Sequence, residues 1–203
     1  MSEELKNILL DKMASAYGER FQIISLKKGT GGKYGATLTC DSFAKPQIMV
    51  TFSKGLFGNK IKEMRDDYVL CARHEEIEDH VDRFVSLCIA GEYKLMYMPF
   101  SSPPTGTYSK STPIGDIIKD LNFFDTFFLV AKEEIPKRDV EKLIYELERR
   151  RHEFGFEISA GVSDEIYNEI TVAYYEDHDL EEIGSQYYCV EYDHAEKKQV
   201  ISE

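Results

Sequence analysis

Two stretches of this chain gather residue types that could do chemistry. Cys71, His74, His80 and Cys88 are spaced C-x2-H-x5-H-x7-C. Thiolates and neutral imidazoles hold zinc when they converge at about 2.0–2.3 Å. On a continuous helix Cys71 and His74 share a face while His80 points elsewhere, so a site built on Cys71, His74 and His80 needs a break near residues 73–76. Cys71 and Cys88 also complete apolar stripes, where buried thiols are ordinary core residues. The segment from His74 to His80 is not an HExxH zinc motif, because its histidines stand six apart rather than four.

The second stretch is the acidic run Glu176-Asp177-His178-Asp179-Leu180-Glu181-Glu182. It departs from the calcium-loop template, with Glu182 where a glycine is needed and Tyr188 where the bidentate glutamate belongs. Tyr174, Tyr175, Tyr187, Tyr188 and Tyr192 surround it and supply the aromatic area that protein interfaces favour. Tyr175, Glu176, Asp177, Asp179, Glu181, Glu182 and Tyr187 are therefore the expected partner-binding residues. The partner expected is a basic protein.

Other chemistry-bearing patterns fall away on inspection. Gly29-Thr30-Gly31-Gly32-Lys33 ends in lysine, but Tyr34 follows where a phosphate loop needs Ser or Thr opening a helix, so it reads as a hairpin connection. The chain has no GxSxG element, no cysteine with an evident base and no cofactor fingerprint. No cofactor is expected.

Charge sets the classes of partner. The net charge is −12, yet Gly161 to Glu203 holds twelve acids against Lys197 and Lys198, leaving the first 160 residues near neutrality. Such an acidic end repels nucleic acid and anionic membranes and attracts basic surfaces, so neither nucleic acid nor membrane is expected as a partner. No apolar run approaches a membrane span. The acidic start and four scattered cysteines without CxxC spacing suit a cytoplasmic protein with free thiols. The oligomeric state is not legible.

These residues need elements to position them. A helix is expected over Glu3–Tyr17, and strands over Phe21–Leu26, Tyr34–Cys40 and Gln47–Ser53. From Asn59 to Ala90 the chain lacks Gly and Pro, and its apolar residues form two stripes: Ile61, Met64, Tyr68 and Cys71, then Ile77, Val81, Phe84 and Cys88. The stripes point well over 90° apart, which favours two helices meeting near Arg73–Glu76 over one long helix. A strand follows at Glu92–Phe100, then a Pro-rich loop over residues 101–112, the one evident internal boundary.

Thr112 is the expected cap of a short helix ending at Asp120, with Pro113 at its first position. Phe123–Ala131 reads as a strand buried on both faces. Pro136–Glu153 reads as a helix with Gly155 just past its end. Strands are expected at Phe156–Val162, Ile166–Tyr175 and Gln186–Asp193. Residues 9–25 align without gaps on 143–159, sharing Leu9/Leu143, Glu19/Glu153, Ile24/Ile158 and Ser25/Ser159. The expected fold is α+β, with mostly antiparallel sheets, packed helices and two related α-β-β-β units. Its halves would be 1–100 and 113–203, packed separately or as one domain.

Tyr17-Gly18-Glu19-Arg20-Phe21, with hairpin strands and then Asp66-Asp67-Tyr68 leading a helix, resembles uncharacterised small proteins of Gram-positive bacteria over the first hundred residues. The resemblance implies a bacterial cytoplasmic origin and no known activity. The expected function is a non-catalytic binding module, an immunity-type inhibitor or regulatory adaptor. The alternative is a small metal-dependent enzyme near Cys71, His74 and His80.

Overall fold

The structure is a computed structural model that describes residues 3–55, 60–99, 108–123, 125–170, 183–193 and 195–202. The fold is α+β, with helices packed on two mostly antiparallel sheets. Among the described residues, the chain divides into two compact units. The first takes in Met1–Ala72 and Ser101–Thr112, and the second Arg73–Phe100 and Pro113–Glu203. The division falls between Ala72 and Arg73, inside the stretch from Asn59 to Ala90.

The first unit is α1 (Glu3–Tyr17), β1 (Phe21–Lys28), β2 (Lys33–Cys40), β3 (Phe43–Lys54), β4 (Ile61–Asp66) and α2 (Tyr68–Ala72). The four strands form an antiparallel meander in chain order. Burial alternates along them. Phe21, Ala36, Leu38, Ile48, Val50 and Phe52 are covered, where α1 packs on β1 and α2 on β3. The helix α1 contributes Leu5, Leu9 and Met13 to that layer at i, i+4 spacing. The Gly29–Gly32 segment is the expected hairpin connection, with Gly31 and Gly32 at positive φ that a side chain would resist.

The helix expected from Asn59 is corrected here, because Ile61–Asp66 is the fourth strand. Lys62 pairs with Ser53 and Arg65 with Thr51, so same-face positions of β4 stand three apart instead of two. A β-bulge at Glu63, whose φ is 49°, inserts the extra residue. That insertion gave Ile61 and Met64 a helical spacing. The helices begin at Tyr68, and the break between α2 and α3 (His74–Val85) falls at Arg73, as the two stripes require.

The second unit continues with β5 (Tyr93–Met98), α4 (Ile114–Asp120), β6 (Thr126–Ala131), α5 (Lys137–Arg150), β7 (Gly155–Ala160), α6 (Asp164–Glu169), β8 (Gln186–Asp193) and β9 (Lys198–Ser202). Its sheet runs in the order β5-β6-β7-β8-β9, antiparallel except for the β6–β7 pair, which α5 connects. Phe127 to Ala131 are buried on both faces, as expected of a continuous apolar run. On one side α3 packs on β5, α4 and α5.

Three expectations about ends are corrected. Pro113 takes the cap position of α4, and the Thr112 hydroxyl instead accepts from the Ser109 N–H at 2.9 Å. The left-handed residue ending α5 is Arg151, φ 59°, and not Gly155. Gly155 opens β7, where a Cβ would sit 2.4 Å from the Val190 carbonyl oxygen. The strand expected from Ile166 is the helix α6 to Glu169. Ser163 Oγ accepts from the Ile166 N–H at 3.4 Å, and Asp164 and Glu165 favour the helix start. The strand β9 was not foreseen. As for the repeat, α1 and α5 are each followed by three strands that neighbour one another in chain order, although α6 intervenes between β7 and β8.

Candidate functional site

The described residues that flank the acidic, Tyr-bearing run belong to one apolar cluster of the second unit. Met96, Phe128, Val130, Val162, Tyr167 and Ile170 are its buried members, and Ile166, Ile183 and Tyr187 pack against it. Ile170 and Ile183, the described residues on either side of that run, both belong to this cluster. Lys94 Nζ donates to the carbonyls of Tyr167, at 2.6 Å, and Ile170, at 3.4 Å, satisfying the end of α6. Its ammonium and that of Lys132 lie 4.9 and 4.8 Å from the Tyr167 ring centroid. The expected partner-binding residues Tyr175, Glu176, Asp177, Asp179, Glu181 and Glu182 lie outside the described residues. Tyr187 is described, half-buried against the cluster.

The weak metal candidates are placed as follows. Cys71 is fully buried in α2, its thiol 3.6 Å from the Gln47 carbonyl oxygen that accepts from it. Burial, then the Asp67 carboxylate, hold that thiol well above its ordinary pKa, which disfavours the thiolate a metal requires. His74 and His80 lie six residues apart on α3, on different faces of the helix. Burial, then the charges of Arg83 and Arg150, lower the His80 pKa. Among the described residues, no three His, Cys, Asp or Glu side chains group as metal ligands.

A buried polar cluster in the first unit was missed as a site, although its residues are those quoted in the resemblance. Tyr17 and Phe21 flank the turn after α1, and Asp66-Asp67-Tyr68 joins β4 to α2. The Tyr17 and Tyr68 rings stack at 4.0 Å, and Phe21 meets Tyr68 edge-on at 5.7 Å. The Tyr17 hydroxyl donates to Asp66 Oδ1 at 2.6 Å, and the Tyr68 hydroxyl donates to Glu19 Oε1. Lys110 Nζ reaches the same Glu19 oxygen at 2.8 Å and lies 5.3 Å from the Tyr68 ring centroid. The signal in the sequence was the recurrence of tyrosine beside acid at both places.

The electrostatics of this cluster follow from burial and pairing. Asp67 is 1% exposed; its Oδ1 accepts from the Met49 N–H at 2.7 Å, and its Oδ2 has no hydrogen-bond partner among the described residues. Burial, with the neighbouring Asp66 charge added, pushes its carboxyl up to about 7 against the Met49 hydrogen bond. Burial also raises Glu19, but Lys110, Ser42 and Tyr68 together outweigh it and hold the carboxyl at about 2. Burial first, and the Glu19 hydrogen bond second, push the Tyr68 hydroxyl up to about 12. The arrangement can hold a proton on Asp67 near neutral pH. Its pairs are internal, and they tie α1, β3 and α2 together.

In the second unit a half-buried histidine lies among rings. His152 stacks on Phe154 at 4.9 Å and on Phe84 at 6.0 Å, with Arg150 over the Phe84 ring. Burial, then the charges of Arg150 and His80, lower its pKa to about 4, so it stays neutral.

No protein-family model matches the chain, and neither does any curated protein. Among solved structures it is similar to a DUF5037 family protein from Ruminococcus gnavus ATCC 29149, at 12% identity and a TM-score of 0.46, over 95% of this chain and 93% of that one.

Proposed function

We propose that the protein is a non-catalytic binding module that captures a basic protein partner through the acidic, tyrosine-bearing stretch around Glu176–Glu182. The observation that carries this reading is that the residues flanking the stretch on both sides belong to one apolar cluster. Ile170 is buried at one end, and Ile183 and Tyr187 pack at the other. Residues 171–182 between them carry five acids and two tyrosines, with no Lys or Arg. Clustered like charge accelerates encounter with a basic surface. An immunity-type inhibitor or a regulatory adaptor in a bacterial cytoplasm fits this chemistry. The free thiols Cys40, Cys71, Cys88 and Cys189 suit a reducing compartment, and among the described residues no helix is long and apolar enough to cross a membrane.

Capture from a host lysate at graded salt tests the reading. A basic protein should be retained at low salt and released as salt rises. Neutralising Asp177, Asp179, Glu181 and Glu182 to their amides should weaken retention and flatten the salt dependence. Unchanged capture by that variant would move the binding site elsewhere. The metal-enzyme alternative is tested separately by elemental analysis of untagged protein, where substoichiometric metal ends it.

A further inference from the structure

The face of the first sheet turned away from its covered layer is built from cations and hydroxyls. Pairing sets Lys27, Gly35, Thr51 and Arg65 in one row across all four strands, and Lys33, Ser53 and Lys62 in the next. Ser25 and Thr37 extend the face behind them, their hydroxyls 3.0 Å apart. With strands about 4.8 Å apart, a full row spans roughly 14 Å. Lys27, Lys33, Lys62 and Arg65 are exposed, and among the described residues none of them pairs with a carboxylate. A cavity of about 340 Å³ opens here, lined by Lys33, Thr51, Phe52, Ser53, Glu63 and Arg65.

Two further features mark this face. The bulge at Glu63, with its left-handed backbone, is what turns both Lys62 and Arg65 onto it; strained backbone of this kind accumulates at binding sites. The Glu63 carboxylate accepts from Ser53 Oγ at 3.2 Å, as does the Lys62 carbonyl. The local charge also runs against the chain as a whole. Residues 18–65 carry nine Lys and Arg against three acids, while the rest of the chain carries sixteen against thirty-four. Cations gathered on one sheet face repel each other, and an anion relieves that repulsion.

We propose that this face binds a ligand bearing two or more phosphates. One phosphoryl group sits between Lys33 and Arg65 with the Thr51 hydroxyl as donor, and further phosphates reach Lys27 and Lys62. The guanidinium offers a planar fork to phosphate oxygens and the lysines act as point charges. Of the aromatic residues of these strands, Phe21 and Phe52 are buried in the covered layer, Phe43 packs on Tyr68, and Tyr34 stacks on Phe52 at 5.3 Å. Recognition is therefore of phosphate and not of a stacked base. Exclusion of nucleic acid on whole-chain charge does not reach this face, because exposed charges beyond about 8–10 Å are screened at physiological salt.

The test uses the full chain with two phosphate probes: tripolyphosphate by calorimetry and a labelled oligothymidylate by anisotropy. Polyglutamate serves as a carboxylate control. At least one phosphate probe should bind, with polyglutamate at least tenfold weaker. Lys33→Gln and Arg65→Gln should each lose about tenfold, and Lys12→Gln on α1 should lose nothing. Thr51→Val, which keeps side-chain volume, should also weaken binding and guards against loss of fold in the charge variants. Tripolyphosphate binding as tightly as the oligonucleotide identifies a free polyphosphorylated ligand. Tighter oligonucleotide binding, with a log–log salt slope made shallower by about 0.7 for each cation removed, identifies a nucleic-acid backbone. The proposal is overturned if neither probe binds, if polyglutamate binds as well, or if the variants bind as the parent does.

Discussion

In the first sheet, Ala36, Leu38, Val50 and Phe52 face a helical layer while Thr37, Thr51, Ser53 and Arg65 face away from it. In the second sheet, Phe127 and Leu129 alternate with Phe128 and Val130, and all four are buried. Both sheets are built from strands of ordinary length. What separates them is the second residue of each alternating pair. A hydroxyl or cation there leaves a face on which a ligand can sit, and an apolar residue there makes that face core. Each unit encloses a hydrogen-bonded carboxyl, Asp67 in the first and Asp125 in the second, and the second also holds a neutral imidazole, His152, among rings.

The largest effects should come from the doubly buried sheet. Phe127→Ala should destabilise by about 3–5 kcal/mol, because the ring stacks on Tyr97 and packs against Phe154 and Phe156. Gly155→Ala should cost about 1–3 kcal/mol, since its Cβ would meet the Val190 carbonyl at 2.4 Å. Gly35→Ala, on the open face with nothing within 4 Å, should shift stability by less than about 0.5 kcal/mol. Denaturant midpoints compare the three. Equal costs for Gly155→Ala and Gly35→Ala would erase the distinction between the sheets.

Asp67 and His152 should act on stability with opposite pH dependence. Asp67 titrates near 7 in the native protein and near 3.9 when unfolded. Between those values the native state holds the extra proton, so its contribution to stability is full below about 4 and is lost as pH rises to about 7. His152 titrates near 4 when folded and near 6.5 when unfolded. Here the unfolded state holds the extra proton, so stability rises as pH climbs from about 4 to about 6.5. The two slopes oppose each other, each reaching at most about 1.4 kcal/mol per pH unit. Relative to the parent, Asp67→Asn should therefore gain stability with rising pH across this window, and His152→Phe should lose it. Parallel profiles for parent and variants would sink the assignment.

A smaller effect should come from the hydrogen bond of Tyr97 to Asp125 Oδ1, 2.7 Å long and buried. Tyr97→Phe should cost about 1–2 kcal/mol by leaving that carboxyl short of a donor. Ser25→Ala, which removes the half-exposed bond to Thr37, should cost less than about 0.5 kcal/mol. Thermal unfolding of the two variants gives the comparison.

Much of this architecture was legible locally. The meander of β1 to β3 is written in alternating residues and glycine turns, and the break at Arg73 in two stripes that point apart. The misreadings share one cause: a local pattern with two physical solutions. A bulge gave β4 the spacing of a helix, and a capped turn at Ser163 opened a segment whose apolar residues also alternate. The buried cluster was visible as tyrosine beside acid at Tyr17–Glu19 and Asp66–Tyr68, but the 49 residues separating each bonded pair hid its assembly.

The sequence by itself determined the fold class, the covered face of the first sheet and the position of the acidic end, because each depends on residue type at a short period. Tertiary structure decided which hydroxyls and lysines share a sheet face and which carboxyl is sealed from water. It also decided that residues on both sides of the acidic stretch share one apolar cluster. Those outcomes depend on strand register and on which segments stack, quantities set by contacts between residues far apart in the chain.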